Sequence, residues 1–80
     1  PTSVPINELR GKLLILSKNY FFDQARTVPE TVNELRERGW IASPLDVSKT
    51  LSKMAFNKEL LKNKQGKRSY YFVKEALLAN

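Results

Sequence analysis

Two helix-start signals sixteen residues apart constrain the fold of this chain more than any other feature. Thr27-Val28-Pro29-Glu30 is a capping box, with a hydroxyl at the N-cap, a glutamate three residues on, and a proline in the first turn where its missing N–H costs nothing. Ser43-Pro44-Leu45-Asp46 repeats the pattern: serine cap, proline at the first helical position, acid at the third. Gly39 falls between them, where a left-handed C-cap ends the earlier helix. The expected order is a helix of about eleven residues, a tight turn and a second capped helix.

Apolar spacing orients these helices. Val28, Val32 and Leu35 form the stripe of the first, with Glu34, Arg36, Glu37 and Arg38 toward solvent. In the second, Val47, Thr50, Leu51, Met54 and Lys58 share one face, with Val47, Leu51 and Met54 as core residues. Ser48, Lys49, Ser52, Lys53 and Phe56 lie largely opposite. Trp40 or Ile41, in the turn, is expected under the helix pair. Upstream, Ile6, Leu9, Leu13, Leu16 and Tyr20 recur at spacings of three and four, predicting a helix over residues 4–18. Leu14 and Ile15 widen its stripe, and Gly11, costing about 1 kcal/mol against alanine, is expected to allow close packing. In the connection over residues 19–25, Tyr20, Phe21 and Phe22 cannot all face one way, so at least one seals the core.

From about residue 60 the period becomes two. Leu60-Leu61-Lys62-Asn63-Lys64 and Ser69-Tyr70-Tyr71-Phe72-Val73 flank Gln65-Gly66, a hairpin with a glycine in its connection. Alternation leaves two registers open, with either Tyr71 and Val73 or Tyr70 and Phe72 inward. Residues 74–80 add a short helical turn through Leu77 and Leu78 or fray, and residues 1–5 are also expected to fray. The whole reads as one α+β domain over residues 1–80, a size that buries only about 60 % of its unfolded surface.

Charge is distributed unevenly along these elements. Residues 1–48 carry six cations and six anions, and residues 69–80 one of each. Residues 49–68 carry Lys49, Lys53, Lys58, Lys62, Lys64, Lys67 and Arg68 against Glu59 alone, so the net +6 of the chain resides there. A charge run is usually a solvated face. Here it coincides with one helix and one hairpin, which points to a polyanionic partner.

The chain has no cysteine and no histidine, which removes disulfides, thiolate nucleophiles, imidazole bases and the usual zinc ligands. No carboxylate pair with catalytic spacing stands out, so an enzyme, a cofactor and a bound metal are not expected. The longest apolar run, Leu13 to Leu16, is four residues, against about 18 for a membrane span. The opening PTSVP lacks the charged start and long apolar stretch of a signal peptide.

The stretches RTVPETVNELRERGW (residues 26–40), VSKTLSKM (47–54) and LLKNKQGKRSYYFV (60–73) together resemble the winged helix-turn-helix superfamily, as found in small microbial DNA-binding modules. The resemblance runs from about residue 6 to residue 73. It implies a three-helix core followed by a β-hairpin wing, with the third helix in the major groove of double-stranded DNA and the wing on phosphates or in the minor groove. By position it implies base and phosphate contacts from Ser48, Lys49, Ser52 and Lys53, and wing contacts from Lys64, Gln65, Lys67 and Arg68. Ser43 and the N–H groups of its helix start are implied as a phosphate site. The outward face of that helix has no Arg, Asn or Gln before Asn57, so the usual bidentate base readers are missing. The function implied is transcription regulation by a cytoplasmic, nucleoid-associated protein, either as a homodimer through Leu14, Ile15, Leu77 and Leu78 or within a larger parent chain. Two alternatives stand beside it: a winged helix that binds another protein, and the nucleic-acid-binding accessory module of a larger enzyme.

Overall fold

Both proline-marked signals open helices at the expected residues. In the computed structural model, which describes residues 1–74, the chain runs β1 (Thr2–Ser3), α1 (Ile6–Lys18), a 3₁₀ turn (Phe21–Asp23), α2 (Val28–Glu37), β2 (Trp40–Ile41), α3 (Pro44–Phe56), β3 (Leu61–Gln65) and β4 (Arg68–Phe72). It is a small α+β domain, three helices followed by a two-stranded antiparallel hairpin. At α2 the capping box is complete. The Glu30 N–H donates to Thr27 Oγ1 at 3.3 Å, and Glu30 Oε1 accepts from the Thr27 N–H at 2.9 Å. At α3 the Asp46 N–H donates to Ser43 Oγ at 3.1 Å. Gly39 ends α2 with φ +86°, in the left-handed region that glycine enters without steric cost.

The helices enclose one core. Leu9, Leu13 and Leu16 of α1 meet Val32 and Leu35 of α2 and Val47, Leu51 and Met54 of α3, and Phe21, Phe22, Leu60 and Tyr71 close it. Phe21 and Phe22 pack edge to face at 5.0 Å, so two of the three consecutive aromatics seal the base. The third, Tyr20, is 75 % exposed. It does not extend the α1 stripe, because the helix ends at Asn19 and Tyr20 turns to φ +67°. Ile6, at the other end of the predicted stripe, is also exposed, at 46 %. Thr31, absent from the predicted stripe of α2, is fully buried, and its hydroxyl donates to the Thr27 carbonyl at 2.9 Å.

Gly11 does not permit a close approach. A Cβ built there meets nothing within 4 Å. Lys58 does not lie on the core face of α3. It follows the Asn57 C-cap at φ +62°, where the Glu59 N–H donates to the Met54 carbonyl at 2.8 Å and the Lys58 N–H to the Ala55 carbonyl at 3.1 Å. This pair of bonds is a Schellman stop, and it turns the chain so that Leu60 enters the core.

Residues 2–4, expected to fray, are hydrogen-bonded: β1 pairs parallel with β2, the Thr2 N–H donating to the Gly39 carbonyl and the Val4 N–H to the Ile41 carbonyl, both at 2.8 Å. Val4 is buried, and it precedes α1 rather than belonging to it. Trp40 is half-buried beneath Lys12, whose Nζ sits 4.8 Å from the ring centroid, and Ile41 is exposed.

The hairpin resolves the open register in favour of Tyr71, which is 1 % exposed, with Val73 half-buried beyond it. Leu61 to Gln65 pair with Phe72 to Arg68, leaving a two-residue Gly66-Lys67 connection, shorter than the predicted strand ends leave. Gly66 has φ +63° and Lys67 has negative φ, the signs of a type II′ turn whose twist suits a hairpin. The base of β4 is pinned from its other side, since Arg26 and Tyr71 each donate an N–H to the other's carbonyl at 2.8 Å. The turn expected over residues 74–80, and Leu77 and Leu78 as dimer contacts, lie outside the described residues except for Lys74. Of the other dimer candidates, Leu14 packs against the core and Ile15 is 39 % exposed.

Candidate nucleic-acid interface

Helical period and hairpin register decide where each predicted contact residue points. The line of α3 that faces directly away from the core holds Leu45, Lys49, Ser52 and Phe56, at spacings of four, three and four. Ser48 flanks that line on the hairpin side and Lys53 on the α1 side. The expected contact residues of α3 are therefore divided between two hollows.

The first hollow, about 880 Å³, lies between the start of α2, α3 and the hairpin. Ser48 and Ser52 border it with Lys62, Lys67 and Arg68. Ser52 Oγ lies 3.2 Å from the Tyr71 hydroxyl, which ties α3 to β4 across its floor. Glu30 is the one carboxylate on its rim. The Thr27 N–H it accepts, above all, holds its carboxyl below the usual range, helped by the Thr27 hydroxyl and by nearby Arg26 and Arg68. Glu30 is thus committed to the cap of α2, and its charge partly offsets Arg68.

Lys49 and Lys53 border the second hollow, with Asn7 and Arg10 of α1, and with Asn57 and Glu59 after α3. Arg10 donates to both carboxylate oxygens of Glu59, Nε to Oε2 at 3.1 Å, and holds that carboxyl below its usual range. The single anion of the basic segment is in this way neutralised by a cation from elsewhere in the chain. Lys64 and Gln65 border neither hollow; they project along β3 at the exposed end of the hairpin.

Ser43 is used by the helix it caps. Its Oγ accepts from Asp46, its carbonyl from Val47 at 3.0 Å, and Pro44 has no N–H, so the Leu45 N–H alone is left in that turn beside the Asp46 side chain. This is a meagre anion cradle compared with a free helix start. Arg26 is equally committed. Its Nε donates to the Phe21 carbonyl at 2.8 Å and its guanidinium stacks 4.4 Å over the Phe21 ring.

Three residues of this surface were not among the expected contacts, although Lys62 was counted in the basic segment and Phe56 placed on the outer face of its helix. Lys62 stands at the first hollow with Nζ 5.8 Å from the Tyr71 ring centroid, and it shares its strand face with Lys64, which a settled register would have indicated. Leu45 and Phe56 are 63 % and 85 % exposed on the outermost line of α3. Their four-and-three spacing with Lys49 and Ser52 was the signal available. The three salt bridges among the described residues, Arg10–Glu59, Arg26–Glu30 and Arg38–Glu34, involve none of the seven cations of residues 49–68. No protein-family model, curated protein or solved structure matches this chain.

Proposed function

We propose that this chain is a winged-helix DNA-binding domain that sets α3 in the major groove of double-stranded DNA, rests the basic β3–β4 hairpin on the phosphate backbone, and serves transcription regulation at the nucleoid. One observation carries the reading. Seven cations lie on α3, its C-terminal stop and the hairpin, none in a salt bridge among the described residues, and Glu59, the only acid of that segment, is paired to Arg10. A merely solvated surface has no need of such segregation, whereas a phosphate-binding one does.

The layout supports the same reading. Three helices precede the hairpin, α3 follows a glycine turn and a serine cap, and Arg26 adds a bridge to β4 that holds the hairpin beside α3. Ser48 and Ser52 of α3 border one hollow with Lys62, Lys67 and Arg68 of the hairpin, so a duplex resting on the hairpin also meets that flank of α3. With roughly four to six phosphates neutralised, log K should fall with log salt at a slope of about −4 to −5.

The test is fluorescence anisotropy with a labelled random duplex across a salt series, wild type beside Lys49→Glu/Lys53→Glu and Lys67→Glu/Arg68→Glu. Steep salt dependence weakened by both pairs is the expected result. If wild type does not bind at low salt, or binds no better than both variants, the reading is wrong.

A further inference from the structure

Leu45 and Phe56 take no part in the core. Both are on the outermost line of α3, mostly exposed, and outside the core cluster. Phenylalanine is also a poor helix former, so local propensity does not account for Phe56. They are not an apolar patch either. Eleven residues at about 1.5 Å each separate them by about 16 Å, with Lys49 and Ser52 between them on the same line. A partner helix docks on apolar residues repeating every three or four positions, which this line lacks. The occupant it suits is polyanionic with isolated apolar points, given the unpaired cations on both flanks.

We infer, building on the DNA-binding reading above, that Leu45 and Phe56 are the base readers of α3 and that each packs against the C5-methyl group of a thymine in the major groove. The missing Arg, Asn and Gln then cease to be a deficiency, because thymine is the base recognised through apolar contact. The groove winds around the duplex axis, so each base step covers more of its length than the axial rise of about 3.4 Å; about 16 Å along the groove spans roughly three to four steps, and the two thymines lie about that many base pairs apart. Lys49 falls between them, placed for a guanine edge or a phosphate, and Ser52 accepts either kind of base.

The experiment compares two labelled 20-base-pair alternating duplexes of identical sequence, one with thymine and one with uracil, which differ only by the C5-methyl groups. Wild type is measured beside Leu45→Ala, Phe56→Ala and the double variant at one low salt concentration. Each buried methyl is worth about fourfold, so wild type should prefer the thymine duplex by about fifteenfold, each single variant by about fourfold, and the double variant hardly at all. Both side chains are exposed, so circular dichroism should report unchanged folding. Equal binding of the two duplexes by wild type, or a preference that survives in the double variant, overturns methyl readout and leaves the DNA reading standing. Failure of wild type to bind either duplex overturns both.

Discussion

Replacing Lys58 with glycine should stabilise the domain. Lys58 occupies the C′ position of the Schellman stop after α3 at φ +62°, where an L-residue carries a strain of about 1–2 kcal/mol because its Cβ crowds the following carbonyl. Glycine removes that strain and returns about 0.4–1 kcal/mol of it as added entropy of the unfolded chain. The Lys58 side chain makes no hydrogen bond or salt bridge among the described residues, so no contact is lost. The net gain is about 0.5–1 kcal/mol, a rise of roughly 3–6 °C in Tm for a domain of this size. Lys58→Ala is the control, since it removes the same charge and keeps the Cβ. Urea midpoints at constant m value, checked by thermal circular dichroism, should rank Lys58→Gly above Lys58→Ala by about 1 kcal/mol. If the two variants are equally stable, or alanine is the better, the backbone at this stop is not strained and the argument fails.

Three further outcomes follow from the same geometry. Gly11→Ala adds a methyl that meets nothing, so it should stabilise α1 by about 0.5–1 kcal/mol, read as a higher urea midpoint. The Glu30 carboxyl is held below its unfolded value, so its contribution is present above the unfolded value of about 4.3 and is lost as pH falls through the folded value; Glu30→Gln should therefore be less stable than wild type at pH 7, with the gap narrowing as the solution is acidified below that range. Tyr71→Phe removes the contact to Ser52 from a residue that is 1 % exposed, at a cost of about 0.5–1.5 kcal/mol, and a double-mutant cycle with Ser52→Ala should show the two losses to be coupled.

What could be read in the sequence was local. Thr27 and Ser43 announced their helices because a capping hydroxyl, a nearby proline and an acid lie within four residues and act there. The core residues of α3 followed from the helical period for the same reason. Tyr20 was misplaced because spacing carries no information about where a helix stops, and Asn19 ends α1 one residue earlier. The β1–β2 pair has two residues per strand, too few for any alternation, and the bridge between Arg26 and Tyr71 joins positions 45 apart. In the candidate interface, the period indicated that Ser48, Lys49, Ser52 and Lys53 face outward. It could not indicate that Ser48 and Ser52 share a hollow with the hairpin while Lys49 and Lys53 face Arg10, because that depends on how separate elements pack.

The hairpin is held at one end only. Its base is locked by the paired hydrogen bonds of Arg26 and Tyr71, while residues 62–68 are all exposed. In amide hydrogen exchange, the Tyr71 and Arg26 amides should open only with global unfolding, and those around Gly66 by local fraying. A ligand that settles on the tip would then slow the Gly66 region by ordering it directly, whereas one bound elsewhere could slow it no more than it slows Tyr71. The ratio of protection at these two ends is an internal gauge of where a partner sits.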